Sequence, residues 1–294
     1  MSHRRPTIAV ASGKGGTGKT TVVVNLAMVW PEPVQLIDCD VEEPNVHLFF
    51  TADTKTQQPV TVPVPQVDTD KCDGCGDCAD ACQFNAIAVP SGAPIVFQEL
   101  CHSCGACVMA CPQEALSEVR RRIGVVDRWS CMHLDISAGC LDIGVPTSPP
   151  LIRIVKQTID MSKVTILDAP PGTSCPVVTA VNGTDFVILV AESTPFGLHD
   201  LMLSVDVLQQ LELQFGVVIN RADLGDDRTR RFCHQQGIPI LLEIPNDRRI
   251  AEVYSNGDLV VQKLPEYRDH FTRLADQLSR KLAQEVMQWG IKSE

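Results

Sequence analysis

The sequence predicts an α/β fold: a doubly wound, mostly parallel sheet with helices on both faces, interrupted by a small α+β insert rich in cysteine. Three observations carry this expectation. Short β-branched runs alternate with helical stretches along most of the chain. Aromatic residues make up only 5% of a chain that is 44% hydrophobic, which suits Val, Ile, Leu and Ala strands buried on both faces. Eight of the 13 cysteines fall between Cys72 and Cys111, where the alternation stops.

Thr7 to Ala11 reads as a buried strand, Ser12 to Thr20 as a glycine-rich loop, Thr21 to Trp30 as a helix and Val34 to Ile37 as the next strand, which together make a βαβ unit. The pattern resumes with strands at Val164 to Leu167, Phe186 to Ala191, Phe215 to Ile219 and Ile238 to Ile244, separated by helices such as Asp200 to Leu211. Crossover helices make such strands parallel. From Glu266 to Trp289, the residues Phe271, Leu274, Leu278, Leu282 and Val286 form one apolar stripe. A helix docked on the core is expected there in preference to a membrane tether, because Asp269, Asp276 and Glu285 dilute the basic charge a tether needs.

Residues 66–118 are expected to be the insert, dividing the α/β domain into 1–65 and 119–294. The insert carries eight acidic residues against one basic, a local charge of −7 out of −11 for the whole chain. Pro59, Pro63 and Pro65 on one side and Arg120 to Arg122 on the other read as its joints, the arginine run being a solvated helix face. The acidic balance is the wrong sign for neutralising phosphate backbones or anionic membranes, so no nucleic-acid partner is expected. The longest useful apolar run, Phe186 to Ala191, has six residues, far short of the roughly 20 that span a bilayer. The expectation is a soluble, cytoplasmic protein without stable membrane insertion.

Gly13 to Thr20 follows the pattern G-x4-G-K-[ST] between a strand and a helix. Gly13, Gly15, Gly16 and Gly18 let backbone N–H groups curl around phosphate oxygens, with Thr17 and Thr21 in the same cradle. Lys19 is expected to meet the β and γ phosphates, and Thr20 to ligate Mg2+. The domain is therefore expected to be a P-loop NTPase.

The run from Lys14 to Thr20, KGGTGKT, resembles the deviant Walker A loop of the MinD, ParA, Mrp and nitrogenase iron protein superfamily. The resemblance implies that Lys14 reaches across a dimer interface to the partner's ATP, in a homodimer or a heterodimer with a similar ATPase. It further implies Asp38 near magnesium, Asp40 orienting the attacking water, Asp168 as the Walker B aspartate, Ala169 to Thr173 (with Gly172) as switch II, and Asn220 recognising adenine. The catalytic set so implied is Lys14, Lys19, Asp40 and Asp168. Ser193 to Asp200 and Ile244 to Glu252 narrow the resemblance to MinD/Mrp-type members; His199 within the first reads as a local contact at a helix start.

Cys72-x2-Cys75-x2-Cys78-x3-Cys82 and Cys101-x2-Cys104-x2-Cys107-x3-Cys111-Pro112 write the spacing of bacterial two-cluster ferredoxins twice. In that pattern the fourth cysteine of each run crosses to the other cluster. Cys72, Cys75, Cys78 and Cys111 are thus expected to hold one [4Fe–4S] cluster, and Cys101, Cys104, Cys107 and Cys82 a second. Zinc fits less well, because four ligands leave no use for the distal cysteine of each run. Gln83 stands where the second run has Pro112, a position that does not ligate. Cys39 and Cys233 read as small buried hydrophobes. Cys140 and Cys175 lie 35 residues apart, similar to the pair that bridges a cluster in the nitrogenase iron protein, so a third cluster between subunits stays an open alternative to two clusters alone. The function expected is an ATP-dependent redox switch acting on a redox or metallocluster client protein. The alternatives are a cluster scaffold or carrier ATPase and a MinD/ParA-like spatial organiser with redox sensing.

Overall fold

The computed structural model describes residues 4–52 and 54–291, with side chains described as far as residue 283. The first half of the chain runs β1 (Thr7–Ser12), α1 (Lys19–Val29), β2 (Val34–Asp38), β3 (Thr56–Val67), α2 (Asp77–Asp80), β4 (Ile87–Ala88), β5 (Ile95–Val96), α3 (Ala106–Ala110), β6 (Leu116–Cys131) and β7 (Leu134–Leu141). The second half follows as α4 (Pro149–Lys156), β8 (Val164–Pro171), α5 (Cys175–Val181), β9 (Phe186–Glu192), α6 (Pro195–Gln210) and β10 (Phe215–Asn220), then α7 (Arg228–Gln235), β11 (Ile240–Ile244), α8 (Arg248–Ser255), α9 (Val260–Lys263) and α10 (Pro265–Ile291).

Nine strands form one sheet in the order β11-β10-β9-β1-β8-β2-β7-β6-β3. From β11 to β7 every pairing is parallel. At one edge β6 pairs antiparallel with both β7 and β3, so β6 alone runs against the other strands of this sheet. Side chains alternate between two cores, as the period of a strand requires. Ile8 and Val10 enter one core with α1, α9 and α10, while Ala9 and Ala11 enter the other with α4, α5 and α6. Register sets the chemistry: Val10 pairs with Asp168 and Asp168 with Asp38, so the C-terminal ends of β1, β8 and β2 stand level.

The strands read from the sequence are present, with small shifts. β11 begins at Ile240 because Gly237, at φ 65, turns the chain just before it. α6 begins at Pro195, five residues before the expected Asp200, because Thr194 caps it by accepting the Gly197 N–H at 3.0 Å. The α10 stripe docks as expected, with Phe271, Leu274, Leu278 and Leu282 buried; Val286 lies outside the residues whose side chains are described.

The largest departure is the arm made by β3, β6 and β7. Arg120 to Arg122 do not lie on a helix face; they sit within β6, paired with Val62, Pro63 and Thr61 of β3. Pro59, Pro63 and Pro65 belong to the outermost strand, where a missing N–H on the free side breaks no ladder. The segments expected as joints are therefore a paired ribbon continuous with the main sheet. At its tip the short hairpin of β4 and β5 and the helices α2 and α3 surround a small core of Cys78, Ile87, Cys107 and Leu116. Among the described residues no helix is long and apolar enough to cross a membrane.

Phe271 is 1% exposed at the centre of the α10 contact. Phe271→Ala is expected to destabilise the protein by about 3–5 kcal/mol, read as a lower midpoint in urea unfolding.

Candidate nucleotide site and cysteine cages

The phosphate loop leaves β1 and enters α1 through backbone that only glycine fits easily. Gly18 has φ 96, and a Cβ there would lie 2.5 Å from Asn220 Nδ2. At Gly13 a Cβ would lie 2.4 Å from the Asp200 carbonyl oxygen, so α6 packs directly under the loop. The loop is fixed at both ends: the Gly172 N–H donates to Ser12 O at 2.8 Å, and Asn220 Nδ2 donates to Thr17 O at 2.7 Å. A cleft of about 420 Å³ opens above, lined by Gly15, Gly16, Gly18, Lys19, Thr20 and Thr21.

Three carboxylates stand at its base. Lys19 Nζ lies 3.7 Å from Asp40 Oδ2 and 3.9 Å from Asp168 Oδ1. Thr20 Oγ1 donates to Asp168 Oδ2 at 2.7 Å. The other oxygen, Asp168 Oδ1, is buried without a hydrogen-bond partner. An orphaned, buried carboxylate oxygen beside the loop threonine that lines the cleft fits a hard divalent cation. Thr20 and Asp168 are the residues that would hold Mg2+.

Asp38, expected near magnesium, stands in register with Asp168 at the end of β2. Both its oxygens accept backbone N–H groups, from Asp40 at 3.1 Å, Asn45 at 2.9 Å and Val46 at 3.1 Å. Its geometry folds the loop that follows β2. Burial, then the neighbouring Asp168, pushes its carboxyl well above the usual range. Burial raises Asp168 as well, against the pull of Lys19. Asp40 is pushed up to about 6, first by burial, with Lys19 opposing and Asp168 adding to the rise.

Lys14 turns back onto its own chain. Its Nζ lies 3.0 Å from Glu192 Oε2, and Arg221 Nη1 lies 2.7 Å from Glu192 Oε1. Glu192, buried at the end of β9, is a member of the site that sequence reading passed over; its place just before the Ser193 to Asp200 stretch was the available signal. The far wall of the cleft, Pro245 to Arg248 with Ile250, Ala251 and Tyr254, was also passed over as a binding surface. The Tyr254 ring packs against Phe49 with centroids 5.0 Å apart. His199 lies in the first turns of α6.

The eight clustered cysteines separate into two groups of four. One cavity is lined by Cys72, Cys75, Cys78 and Cys111, and a second by Cys82, Cys101, Cys104 and Cys107. The fourth cysteine of each run thus stands with the first three of the other. Backbone N–H groups point at three of the sulfurs: Ala86 at Cys82, Ser103 at Cys101 and Ala115 at Cys111, at 3.3, 3.4 and 3.3 Å. Burial and then the nearby Cys111 and Cys72 raise the Cys78 thiol; burial and then Cys101 and Cys104 raise Cys107. Crowded thiols with amides aimed at sulfur are a donor set suited to an iron–sulfur cubane. Among the described residues no three His, Cys, Asp or Glu side chains close on a single-ion site. Cys140 and Cys175 are both exposed.

The model of the CobQ/CobB/MinD/ParA nucleotide binding domain matches residues 8–260. The chain belongs to this family. Among its relatives is an uncharacterized protein of Methanocaldococcus jannaschii, 31% identical over 74% of this chain and 79% of that one. An iron-sulfur cluster carrier protein of Pyrococcus horikoshii is 23% identical over 94% of this chain and 86% of that one. Among solved structures, the septum site-determining protein MinD of Pyrococcus horikoshii, complexed with Mg-ADP, matches with TM-score 0.57 and 21% identity over 96% of this chain and 98% of that chain. At that identity the likeness shows the fold of this family member, an α/β sheet of MinD type.

Asp40 binds its proton more tightly in the folded chain than in the unfolded one. Its carboxyl therefore lowers stability as pH rises from its ordinary value near 4 to about 6. Asp40→Asn is expected to flatten the fall of melting temperature across that window, and a wild-type slope unchanged in the variant would refute the assignment.

Proposed function

We propose that the chain is an ATP-binding and hydrolysing iron–sulfur protein in which nucleotide-driven dimer switching is coupled to electron transfer through two [4Fe–4S] clusters. The observation that carries the reading is the crossed grouping of eight cysteines into two cages, on a ribbon continuous with the sheet that holds the phosphate loop. Isolated structural staples would need no such continuity.

At the nucleotide end, the loop amides and Lys19 hold the β and γ phosphates. Thr20 and Asp168 would hold Mg2+, which would supply positive charge against the phosphates. Asp40, facing the cleft beside Lys19, holds the attacking water in line with the γ phosphorus; water adds there as ADP leaves, giving ADP and phosphate. Asn220, already tied to Thr17, lies where the base would sit, with Tyr254 and Pro245 opposite. Lys14 exchanges its pairing with Glu192 for a phosphate of the partner's nucleotide when two copies close, as the deviant loop implies. At the other end, Cys72, Cys75, Cys78 and Cys111 would hold one cluster, and Cys82, Cys101, Cys104 and Cys107 the other. Each cluster supplies a one-electron centre.

A cluster carrier is the second reading. The iron-sulfur cluster carrier relatives favour it, as do Cys75 and Cys104, which leave each cage open to solvent. Transfer of iron and sulfide to an apo-protein, unaccompanied by reversible reduction, would select it.

Anaerobically reconstituted protein is expected to hold about eight irons and eight sulfides per chain. Cys78→Ser is expected to lose about half of the iron; Lys19→Ala should keep the iron while losing ATP binding in calorimetry. About one zinc per cage with no acid-labile sulfide would overturn the reading, and about ten irons per chain in the dimer would add the shared cluster on Cys140 and Cys175.

A further inference from the structure

The two cages are attached to the rest of the molecule differently. Cys101 and Cys82 pack into the same hydrophobic core as Ile37, Val41 and Ile152 beneath the sheet. Cys78 and Cys111 belong to the small separate core at the ribbon tip, which Cys107 of the second cage also joins, so the second cage alone reaches the main core. The polar contacts around the first cage stay local: the Cys75 N–H donates to Asp73, which also accepts from Gln113, and Cys111 accepts from Ala115.

The second cage is joined to the loop after β2 by an unbroken set of contacts. Val41 follows Asp40, the carboxylate facing the cleft. Its carbonyl accepts the Leu141 N–H at 2.8 Å, at the end of β7. Its side chain lies so close to Gly139 that a Cβ there would meet Val41 Cγ1 at 2.5 Å. One residue on, the Asp142 N–H donates to Ile123 O in β6 at 2.9 Å. The Asp142 carboxylate takes Arg122 in a two-point contact, Nε at 3.0 Å and Nη2 at 3.2 Å. The adjacent Arg121 donates from Nη1 to the carbonyl of Gln98, and that same carbonyl accepts the Cys101 N–H at 3.1 Å. The Arg121 Nε is buried with no partner, so this guanidinium is held by the Gln98 contact alone among the contacts described.

Resting on the coupled-switch reading, we propose that Arg121 and the Arg122–Asp142 pair are positioning residues that tie the loop at Asp40–Val41 to the Cys101 cage, so that nucleotide acts on the cage of Cys82, Cys101, Cys104 and Cys107 and not on that of Cys72, Cys75, Cys78 and Cys111. A shift of the Asp40–Val41 backbone on nucleotide binding moves Leu141 and Asp142 with it. The ribbon carries that displacement to Gln98. Moving the Gln98 carbonyl changes the backbone that presents the Cys101 sulfur and the Ser103 N–H aimed at it, which lies 3.4 Å away. Hydrogen bonds to cluster sulfur are among the determinants of potential. A surface ion pair alone transmits little; here the main-chain bonds and glycine contacts on either side make the connection stiff.

The test is a redox titration of the reconstituted holoprotein followed by electron paramagnetic resonance, with and without Mg-ATP. Cys75→Ser identifies the signal of the first cage. In the wild type the midpoint of the other signal is expected to move with ATP while that of the first stays in place. Arg121→Met keeps the stem and removes the donors; it is expected to cut the ATP-dependent shift to at most about a third, with the ATP affinity of the oxidised protein unchanged. Asp142→Asn serves as a second break should Arg121→Met fold poorly. A shift on the first cage, equal shifts on both, or a shift undiminished in both variants overturns this inference and leaves the coupled-switch reading standing. Midpoints that do not move at all overturn both.

Discussion

Three carboxylates crowd together at the C-terminal end of the sheet, two of them beside the Lys19 ammonium, and their mutual repulsion in a dry setting organises much of the rest. Asp38, Asp40 and Asp168 are brought together by the level ends of β2 and β8, and Lys19 lies 3.7 Å from Asp40 and 3.9 Å from Asp168. Burial raises all three carboxyls. Such a cluster is costly without cationic charge and less so with it, so this point of the fold favours added positive charge. Asp38 relieves part of the strain by drawing in three backbone N–H groups. That choice shapes the loop from Asp40 to Val46.

The same sheet carries the cysteine cages outward. Were the insert tethered by flexible linkers, nucleotide and cages would share a chain without sharing a mechanism. Instead β2 pairs with β7, β7 with β6 and β6 with β3, so the ribbon is an extension of the element that presents Asp38. Close packing strengthens the join: a Cβ at Gly124 would lie 2.3 Å from the Cys140 carbonyl oxygen, leaving β6 and β7 no room to separate around a side chain. The acidic tip, with a charge of −7, stands at the end of this lever. Its charge favours a partner with a basic face.

Much of the fold and of the candidate site was legible before any coordinates. The phosphate loop declared itself because steric and electrostatic demands leave few alternatives at Gly13, Gly18, Lys19 and Thr20. The cysteine spacing predicted the crossed grouping that the cavities show, since three closely spaced thiols bound the reach of the fourth. The antiparallel arm was illegible for a physical reason. β3 carries prolines that are tolerated only because it is outermost, and β6 carries arginines whose long side chains reach solvent or Gln98 and mask the alternation of a strand. Glu192 was hidden because a buried carboxylate at a strand end has no local pattern; its partners, Lys14 and Arg221, come from distant loops. Asp38 was recognised by position, yet its carboxylate is taken by amides that only the folded loop supplies.

If nucleotide state and cluster state are two faces of one switch, the coupling must be reciprocal. The direct measurement is ATP affinity by anaerobic calorimetry on the same holoprotein, oxidised and then reduced with dithionite. The account predicts dissociation constants that differ by at least about fivefold between the two states, with iron content unchanged. Equal affinities in oxidised and reduced protein would contradict it.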